Sequence, residues 1–380
     1  MALDSETFDL LVKAVRRFVD GRLIPAERHV ADNDQIDEDL LTEMRELGLF
    51  GLSIPEEWNG LGLSMREEVE VVMELCRASP AFRSAVGTNI GIGSQAIVLD
   101  GTPEQRSHYL PRLASGELIS SFALTEPEAG SDAASLRTRA VRQEDGSYII
   151  SGTKRFITNG PEAGLYTVMA RTSDIRGAGG ISCFLVERAS PGLSLGRPDH
   201  KMGQKGAHTC DVIFDNCVVP PDALLGQREG EGFRTAMKVL DKGRLHIAAV
   251  CVGSAHRLIE ESVAYARTRH QFGKPIAEFQ LIKAMLADSF AEAYAARTMI
   301  IDAARRRDNG ENVTLEASAC KMFASEMVGR VADRAVQIHG GSGYMAEFPV
   351  ERFFRDVRLF RLYEGTTQIQ QLIIAREMLK

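Results

Sequence analysis

The chain has 380 residues and a formal net charge of −7, with 44% apolar and 26% charged residues. This composition is typical of a folded globular protein and excludes a disordered or fibrous chain. The acidic balance argues against a nucleic-acid-binding protein that neutralises phosphates. At roughly 150 residues per domain, the length predicts two or three domains.

The six cysteines are scattered and form no CxxC pair, so the sequence predicts neither a disulfide framework nor a zinc ribbon and indicates a reducing compartment. The amino terminus carries Asp4, Glu6 and Asp9, where a signal peptide has a basic flank and an apolar run. No window approaches about 18 uninterrupted apolar residues. We therefore expect no membrane span and a cytoplasmic protein.

Helical periodicity dominates the first region, which we assign to residues 1–120. The apolar residues of its first segment recur on one face of a helix, at Phe8, Leu11, Val15 and Phe18. Ser64 and Glu67 have the spacing of a capping box at the start of another helix. The region is therefore predicted to be a helical domain.

Short β-rich runs separated by turn residues fill the second region, residues 121–228. The predicted strands cover 148–150, 165–170, 181–186 and 212–214. Long helices do not alternate with these runs, which argues against a doubly wound nucleotide-binding fold. We predict a middle antiparallel β domain.

Helical periodicity returns in the third region, residues 229–380. One helix begins near Phe233, another runs from Phe279 to Arg305–Arg307, and a third covers 315–338. Thr367 to Gln370 is predicted to be a capping box that opens the last helix. The predicted fold is thus α+β and multidomain, with an N-terminal helical domain, the β domain and a C-terminal helical bundle.

Familiar catalytic motifs are absent: the sequence has no GxSxG elbow, no Walker loop and no HExxH. No histidine pair has helical metal-binding spacing, so we expect no metal site. The polar loop Ala123–Asp132 joins the helical and β regions. Its sequence is compatible both with a cofactor-binding loop and with an ordinary connection between domains. Glu364, just before the last helix, is either a structural carboxylate favoured by the helix dipole or a general base freed by Gly365.

Together these strings resemble the acyl-CoA dehydrogenase family over essentially the whole chain. The stretch 123–135 resembles the family's first pattern, and Gln337–Tyr344, continuing through Glu347 and Arg352 to Asp356, resembles its second. Between them lie Lys154–Gly160 and Arg269–Lys274. The resemblance implies the acyl-CoA dehydrogenase fold, FAD as cofactor, a homotetramer built as a dimer of dimers, and electron-transfer flavoprotein as partner.

The implied reaction belongs to fatty acid β-oxidation: the Cα–Cβ bond of an acyl-CoA thioester is oxidised to a trans-2-enoyl-CoA. By resemblance Glu364 abstracts the α-proton, and desolvation by the acyl chain and flavin should raise its pKa. Some relatives supply the base from the position of Gly243, which has no side chain to serve. Glu364 is then the one matching carboxylate.

The resemblance also implies the binding residues. Phe156 stands where many relatives have Trp, which keeps an apolar wall but removes an indole donor. The implied FAD contacts are Phe122, Leu124, Thr125, Gly130, Ser131, Phe156, Thr158, Arg269, Phe272, Gln337, Gly341, Thr366 and Gln368, with Arg269, Phe272, Gln337 and Gly341 reaching the FAD of a neighbouring subunit. The implied substrate contacts are Ser131, Asp241, Arg244, Gly365, Arg83 and Gly87.

Substrate choice stays open at this point. Gly87 at the base of the acyl pocket would leave room for a longer chain. Arg83 either recognises a distal carboxylate, as in glutaryl-CoA dehydrogenases, or reaches solvent or an acidic neighbour.

Alternative functions on the same fold are an oxidase or monooxygenase that passes electrons to oxygen, a DNA-associated flavin-binding protein, and a CoA-ester-binding assembly factor. The acidic charge disfavours the DNA-associated protein, and the presence of Glu364 disfavours the assembly factor.

Overall fold

The computed structural model describes residues 4–380, so the first three residues of the predicted amino-terminal domain lie outside it. The first region is helical, as predicted. Asp4 caps the first helix by accepting from the Thr7 backbone N–H, and Ser64 with Glu67 forms the predicted capping box. Its helices are α1 (Ser5–Phe18), α2 (Ile24–Asn33), α3 (Glu38–Glu46), α4 (Met65–Leu75), α5 (Pro80–Ile90), α6 (Gln95–Asp100) and α7 (Pro103–Ala114).

A seven-stranded sheet forms the middle region. Its strands are β1 (Ser120–Ala123), β2 (Arg139–Arg142), β3 (Tyr148–Thr158), β4 (Leu165–Arg171), β5 (Ile181–Glu187), β6 (Leu193–Leu195) and β7 (Thr209–Val219). The order is β1-β4-β2-β3-β7-β6, and β5 also pairs with β4. All four predicted strands are present, and the three short strands β1, β2 and β6 complete the sheet.

The strand pairing is mostly antiparallel, with one departure from the prediction. Strand β1 runs parallel to β4, with Ser120 opposite Leu165, and β2 meets β4 in parallel at one position. A parallel pair needs a long connection, and the chain between β1 and β4 supplies it because it includes the whole β2–β3 hairpin.

Long helices form the third region. They are α8 (Gly232–Thr268), α9 (Gln280–Asp308), α10 (Thr314–His339), α11 (Pro349–Val357) and α12 (Thr367–Met378); a two-stranded hairpin, β8 (His270–Gln271) with β9 (Lys274–Pro275), follows α8. Helix α8 packs against α4, α9 and α10, and small residues such as Ala248 and Ala249 let the helices approach closely. No helix among residues 4–380 is long and apolar enough to cross a bilayer.

The predicted capping box of the last helix does not form: the N-cap lies one residue earlier than predicted, and Ile369 at N3 has no side-chain acceptor to complete a box. Thr366 is the cap, because its hydroxyl accepts from the Ile369 backbone N–H at 3.3 Å. The Gln370 amide instead donates to the carbonyls of Glu364 and Gly365. The last helix is thereby tied to the turn that carries Glu364.

Three apolar clusters hold these regions together. One joins the first and third regions through α4, α8 and α10, and another fills the sheet. A third lies between them, where α6 and α7 meet β4, β5 and the start of α8. All six cysteines are buried and unpaired within these regions. The clusters leave an open space at the junction of helices and sheet.

Candidate active site

A cavity of about 420 Å³ opens at this junction, between α5, α8, the turn before α12 and the edge of the sheet. This volume suits a small-molecule ligand. The sequence-predicted residues that line it are Arg83, Gly87, Phe122, Leu124, Thr125, Gly130, Ser131, Phe156, Thr158, Gly243, Arg244, Glu364 and Gly365. Residues far apart in the sequence are thus brought to one space.

The Glu364 carboxylate lies directly against Gly243 in the cavity lining. A Cβ atom added to Gly243 would lie 2.2 Å from Oε2 of Glu364, so only glycine leaves room for this carboxylate. Oε2 is shielded from solvent and has no hydrogen-bond partner among the described residues. Burial raises the pKa of Glu364, although the positive charges of Arg83, Lys321 and Arg244 oppose the increase. The arrangement is that of a carboxylate able to hold or accept a proton in a sheltered space.

A buried ion pair fixes the loop after β1. The Lys154 ammonium contacts Oε1 of Glu126 at 2.7 Å and the Leu124 carbonyl at 3.1 Å. The Glu126 carboxylate also accepts from the backbone N–H groups of Arg137 and Thr138. Burial lowers the pKa of Lys154 to about 8. This ion pair therefore anchors the loop after β1 to strand β3. The loop carries Leu124, Thr125, Gly130 and Ser131.

Phe156 lies on the cavity wall at an irregularity of β3. The register of β3 against β7 shifts between Lys154 and Ile157, and Phe156 has a φ of +58°. This backbone turns the ring outward, so that 58% of Phe156 is exposed, with the Arg155 guanidinium 4.7 Å from the ring centre. An exposed aromatic face on a cavity wall suits stacking against a planar ligand.

Arg83 is buried inside the cavity, only 8% exposed, and neither of the two structural roles expected for it is observed. It does not reach solvent, and it contacts no carboxylate of residues 4–380; its Nη2 atom lies 3.3 Å from Nδ1 of His246. Because arginine only donates, Nδ1 must accept, which leaves the His246 proton on Nε2, 2.8 Å from Glu68. The Arg83 Nε atom has no partner in the described chain.

Gly87 lines the cavity as expected, and Arg83 lies directly over it. A Cβ atom on Gly87 would lie 2.8 Å from Nη1 of Arg83. The two residues are one helical turn apart on α5, and the guanidinium folds back over the glycine. The space directly above Gly87 is therefore occupied by the Arg83 guanidinium.

Arg244 lines the cavity, whereas Asp241 supports it from behind. Asp241 forms an ion pair with Arg244 and accepts from the Thr314 hydroxyl at 3.2 Å. Burial lowers the pKa of Arg244 without making it neutral at ordinary pH. Arg244 thus presents a positive group to the cavity.

A second group of predicted residues lies outside the cavity. Arg269, Phe272, Gln337 and Gly341 are exposed around the hairpin after α8 and the end of α10, and Phe272 is 92% exposed. Tyr265 brings the two segments together by stacking on His339, with ring centres 4.2 Å apart. Thr366 caps α12, and Gln368 is exposed in its first turn.

Several residues of the site were not identified from the sequence. His246 and Glu68 support Arg83, Lys154 and Glu126 fix the loop, and Lys321 donates to the Gly365 carbonyl at 2.7 Å. For most of these the partner is distant in sequence. The spacing of Lys242 and His246, four apart on α8 and both contacting Glu68, was the one local signal available.

Comparison with known proteins identifies similar chains along the full length. Three family models match: acyl-CoA dehydrogenase N-terminal domain at residues 5–117, middle domain at 121–217 and C-terminal domain at 230–379. An acyl-CoA dehydrogenase of Bacillus subtilis (strain 168) is 41% identical over 97% of both chains.

Two further relatives extend the comparison. A subunit of the caffeyl-CoA reductase–Etf complex of Acetobacterium woodii is 38% identical over 99% of both chains. The solved structure of butyryl-CoA dehydrogenase from Megasphaera elsdenii superimposes with a TM-score of 0.96, at 33% identity, and covers 100% of both chains.

Proposed function

Because the chain belongs to the acyl-CoA dehydrogenase family of oxidoreductases acting on CH–CH groups, we propose that it uses FAD to dehydrogenate an acyl-CoA thioester between Cα and Cβ, giving a trans-2-enoyl-CoA. The observation that carries this proposal is the Glu364 carboxylate, which lies in the cavity beside Gly243 with a sheltered, unpartnered oxygen. We also propose domain boundaries at residues 1–120, 121–228 and 229–380.

Glu364 acts as the general base in this proposal. A raised pKa makes its carboxylate a stronger proton acceptor than an ordinary glutamate. In the described chain its backbone N–H makes no intramolecular hydrogen bond and is free to donate to the thioester oxygen, which gains negative charge as the α-proton leaves. One residue would thereby both remove the proton and stabilise the resulting charge.

The cavity wall fits an isoalloxazine ring. Phe156 offers an exposed aromatic face, and the Thr125 and Thr158 hydroxyls make no hydrogen bond within the described chain. These groups, with the anchored loop at Leu124 and Ser131, would hold FAD opposite Glu364. When bound, FAD supplies the acceptor for the electron pair that leaves Cβ as a hydride.

Arg244 is proposed to bind the CoA part of the substrate. A buried guanidinium oriented by Asp241 offers donors to the phosphates or carbonyls of the CoA moiety. Gly365, which follows the base, would contact the acyl chain.

We propose that the acyl group carries a polar or anionic end that Arg83 recognises. Arg83 is a buried cation that lines the cavity, and among the described residues its Nε has no partner and its guanidinium contacts no carboxylate. A distal carboxylate would supply the missing acceptor.

The exposed second group supports self-association. Arg269, Phe272, Gln337 and Gly341 are not among the residues that line the cavity. Helix α9 exposes Leu281, Phe290 and Tyr294 nearby in sequence. We propose that this face meets another copy in a homotetramer and contributes to that copy's FAD site. Light scattering should give a tetramer mass.

We propose that electron-transfer flavoprotein is the redox partner, which the name of the Acetobacterium relative supports. That relative is named a reductase, so the same site is also a candidate for reducing an enoyl-CoA, with protonated Glu364 delivering the proton to Cα. An oxidase that uses oxygen is the remaining alternative.

The test is anaerobic titration of the FAD-loaded protein with butyryl-, octanoyl- and glutaryl-CoA while the flavin absorbance is followed. We expect bleaching by at least one ester, with glutaryl-CoA favoured. Hydrogen peroxide formation in air at the rate of turnover would identify an oxidase, and bleaching by NADH with reoxidation by an enoyl-CoA would favour the reductase. No bleaching by any ester would overturn the dehydrogenase proposal.

A further inference from the structure

The turn that carries Glu364 has an unusual backbone. Glu364 has a φ of +51° and Gly365 a φ of +90°, both in the left-handed region. Glycine adopts this region freely, but glutamate does so only where the surroundings hold it. The direction of the carboxylate therefore depends on what fixes the turn.

Two side chains hold the turn through its carbonyl oxygens. The Gln370 amide donates to the carbonyls of Glu364 and Gly365, each at 3.1 Å. The Lys321 ammonium donates to the Gly365 carbonyl at 2.7 Å. Gln370 comes from α12 and Lys321 from α10, so the turn is clamped from two helices.

Lys321 differs from Gln370 because it also brings a charge. It is fully buried, and burial lowers its pKa to about 8, so it remains protonated at neutral pH. Of the three cations that act on the Glu364 carboxylate, Arg83 on α5, Arg244 on α8 and Lys321 on α10, only Lys321 also bonds the turn. The other titratable groups acting on Lys321 are Cys251, Arg244 and Glu326.

We propose that Lys321 is a positioning residue for the base: its hydrogen bond to the Gly365 carbonyl fixes the left-handed turn, and its positive charge keeps the Glu364 carboxylate ionised in the sheltered cavity. The inference rests on the proposed role of Glu364. It assigns a task to a buried lysine that does not itself line the cavity but contacts the lining residue Gly365 from behind.

Three substitutions separate the hydrogen bond from the charge. Lys321→Met removes both, Lys321→Gln keeps a donor and removes the charge, and Lys321→Arg keeps both. Gln370→Leu removes bonds to the same carbonyls without changing the charge. Each variant is measured as FAD-loaded full-length protein, with thermal unfolding as a folding control.

The readout is kcat/KM against pH from about 5 to 8, which reports the ionisation of the free enzyme. The substrate is the fastest of butyryl-, octanoyl- and glutaryl-CoA. Because the base must be ionised, losing the Lys321 charge should move the midpoint to higher pH. We expect a shift of about one pH unit in Lys321→Met and Lys321→Gln, and near-native midpoints in Lys321→Arg and Gln370→Leu, the latter with about tenfold lower kcat/KM.

Unchanged midpoints in Lys321→Gln and Lys321→Met would overturn the inference, as would an equal midpoint shift in Gln370→Leu. If Lys321→Met does not fold, the comparison of Lys321→Gln with Lys321→Arg decides the question. Failure of the proposed function is distinguishable, because the native protein would then show no flavin bleaching with any ester. Failure of the base role alone would appear as unchanged turnover in Glu364→Gln.

Discussion

Gly243 provides the space that the Glu364 carboxylate occupies, since a Cβ atom at residue 243 would lie 2.2 Å from Oε2. The two residues come from α8 and the turn before α12, and the long helix continues through the glycine without a break. An interior glycine costs a helix about 1 kcal/mol relative to alanine. Glycine at residue 243 thus lowers the stability of helix α8 but leaves room for the Glu364 carboxylate.

Gly243→Ala tests this relationship. The new methyl group should push the carboxylate from its place, and we expect kcat/KM to fall by about 100-fold, in keeping with the cost of misplacing a reacting group by about 1 Å. The matched control is Gly21→Ala, because a Cβ atom there meets nothing within 4 Å. Equal activity in the two variants would show that the methyl group is accommodated without moving Glu364.

Arg83→Ala tests recognition of a polar acyl end. A hydrogen bond to a charged group contributes about 1.5–3 kcal/mol, so the preference for glutaryl-CoA over butyryl-CoA should fall by about 10- to 100-fold. Arg305→Ala, a change of an exposed arginine, serves as the control. An unchanged ratio of the two kcat/KM values would eliminate carboxylate recognition by Arg83.

Lys154→Met tests the anchor of the proposed flavin loop. It leaves the buried Glu126 carboxylate without its ammonium partner, which typically costs about 3–5 kcal/mol. We expect a lower unfolding temperature and at least tenfold weaker FAD binding, measured by flavin fluorescence. Adding Glu126→Gln removes the uncompensated charge and should restore part of the loss. A double variant worse than Lys154→Met would contradict this explanation.

The pH dependence of the native protein's activity follows from the direction in which the pKa of Glu364 is shifted. Burial raises its pKa above the ordinary 4.5, and the base works only when ionised. Activity should therefore be complete at pH values above the raised pKa and be lost as the pH falls through it, at a less acidic pH than for an exposed glutamate. A limb of the kcat/KM profile at or below 4.5 would contradict the raised pKa.

The sequence predicted the three regions, the long helices and the position of Glu364, because these depend on local periodicity and on short strings. It did not predict that Arg83 fills the space above Gly87, although their spacing on one helix face was visible. The role of His246 depends on Glu68, which lies on another helix, and no spacing in the chain relates them. Lys154 on β3 and Glu126 in the loop after β1 are likewise brought together only by the tertiary fold. Contacts between segments that are distant in sequence depend on tertiary packing, and the hydrophobic periodicity of a single segment does not predict them.

Glu364→Gln provides the most direct test of the central claim that this carboxylate removes the α-proton. The amide is nearly isosteric with the carboxylate and cannot act as the base, so the variant should fold and bind FAD as the native protein does. On anaerobic mixing with the ester that bleaches the native flavin fastest, we expect the bleaching rate to fall by about 1,000-fold or more, within the range attributed to general bases. Bleaching at close to the native rate would contradict the assignment of Glu364.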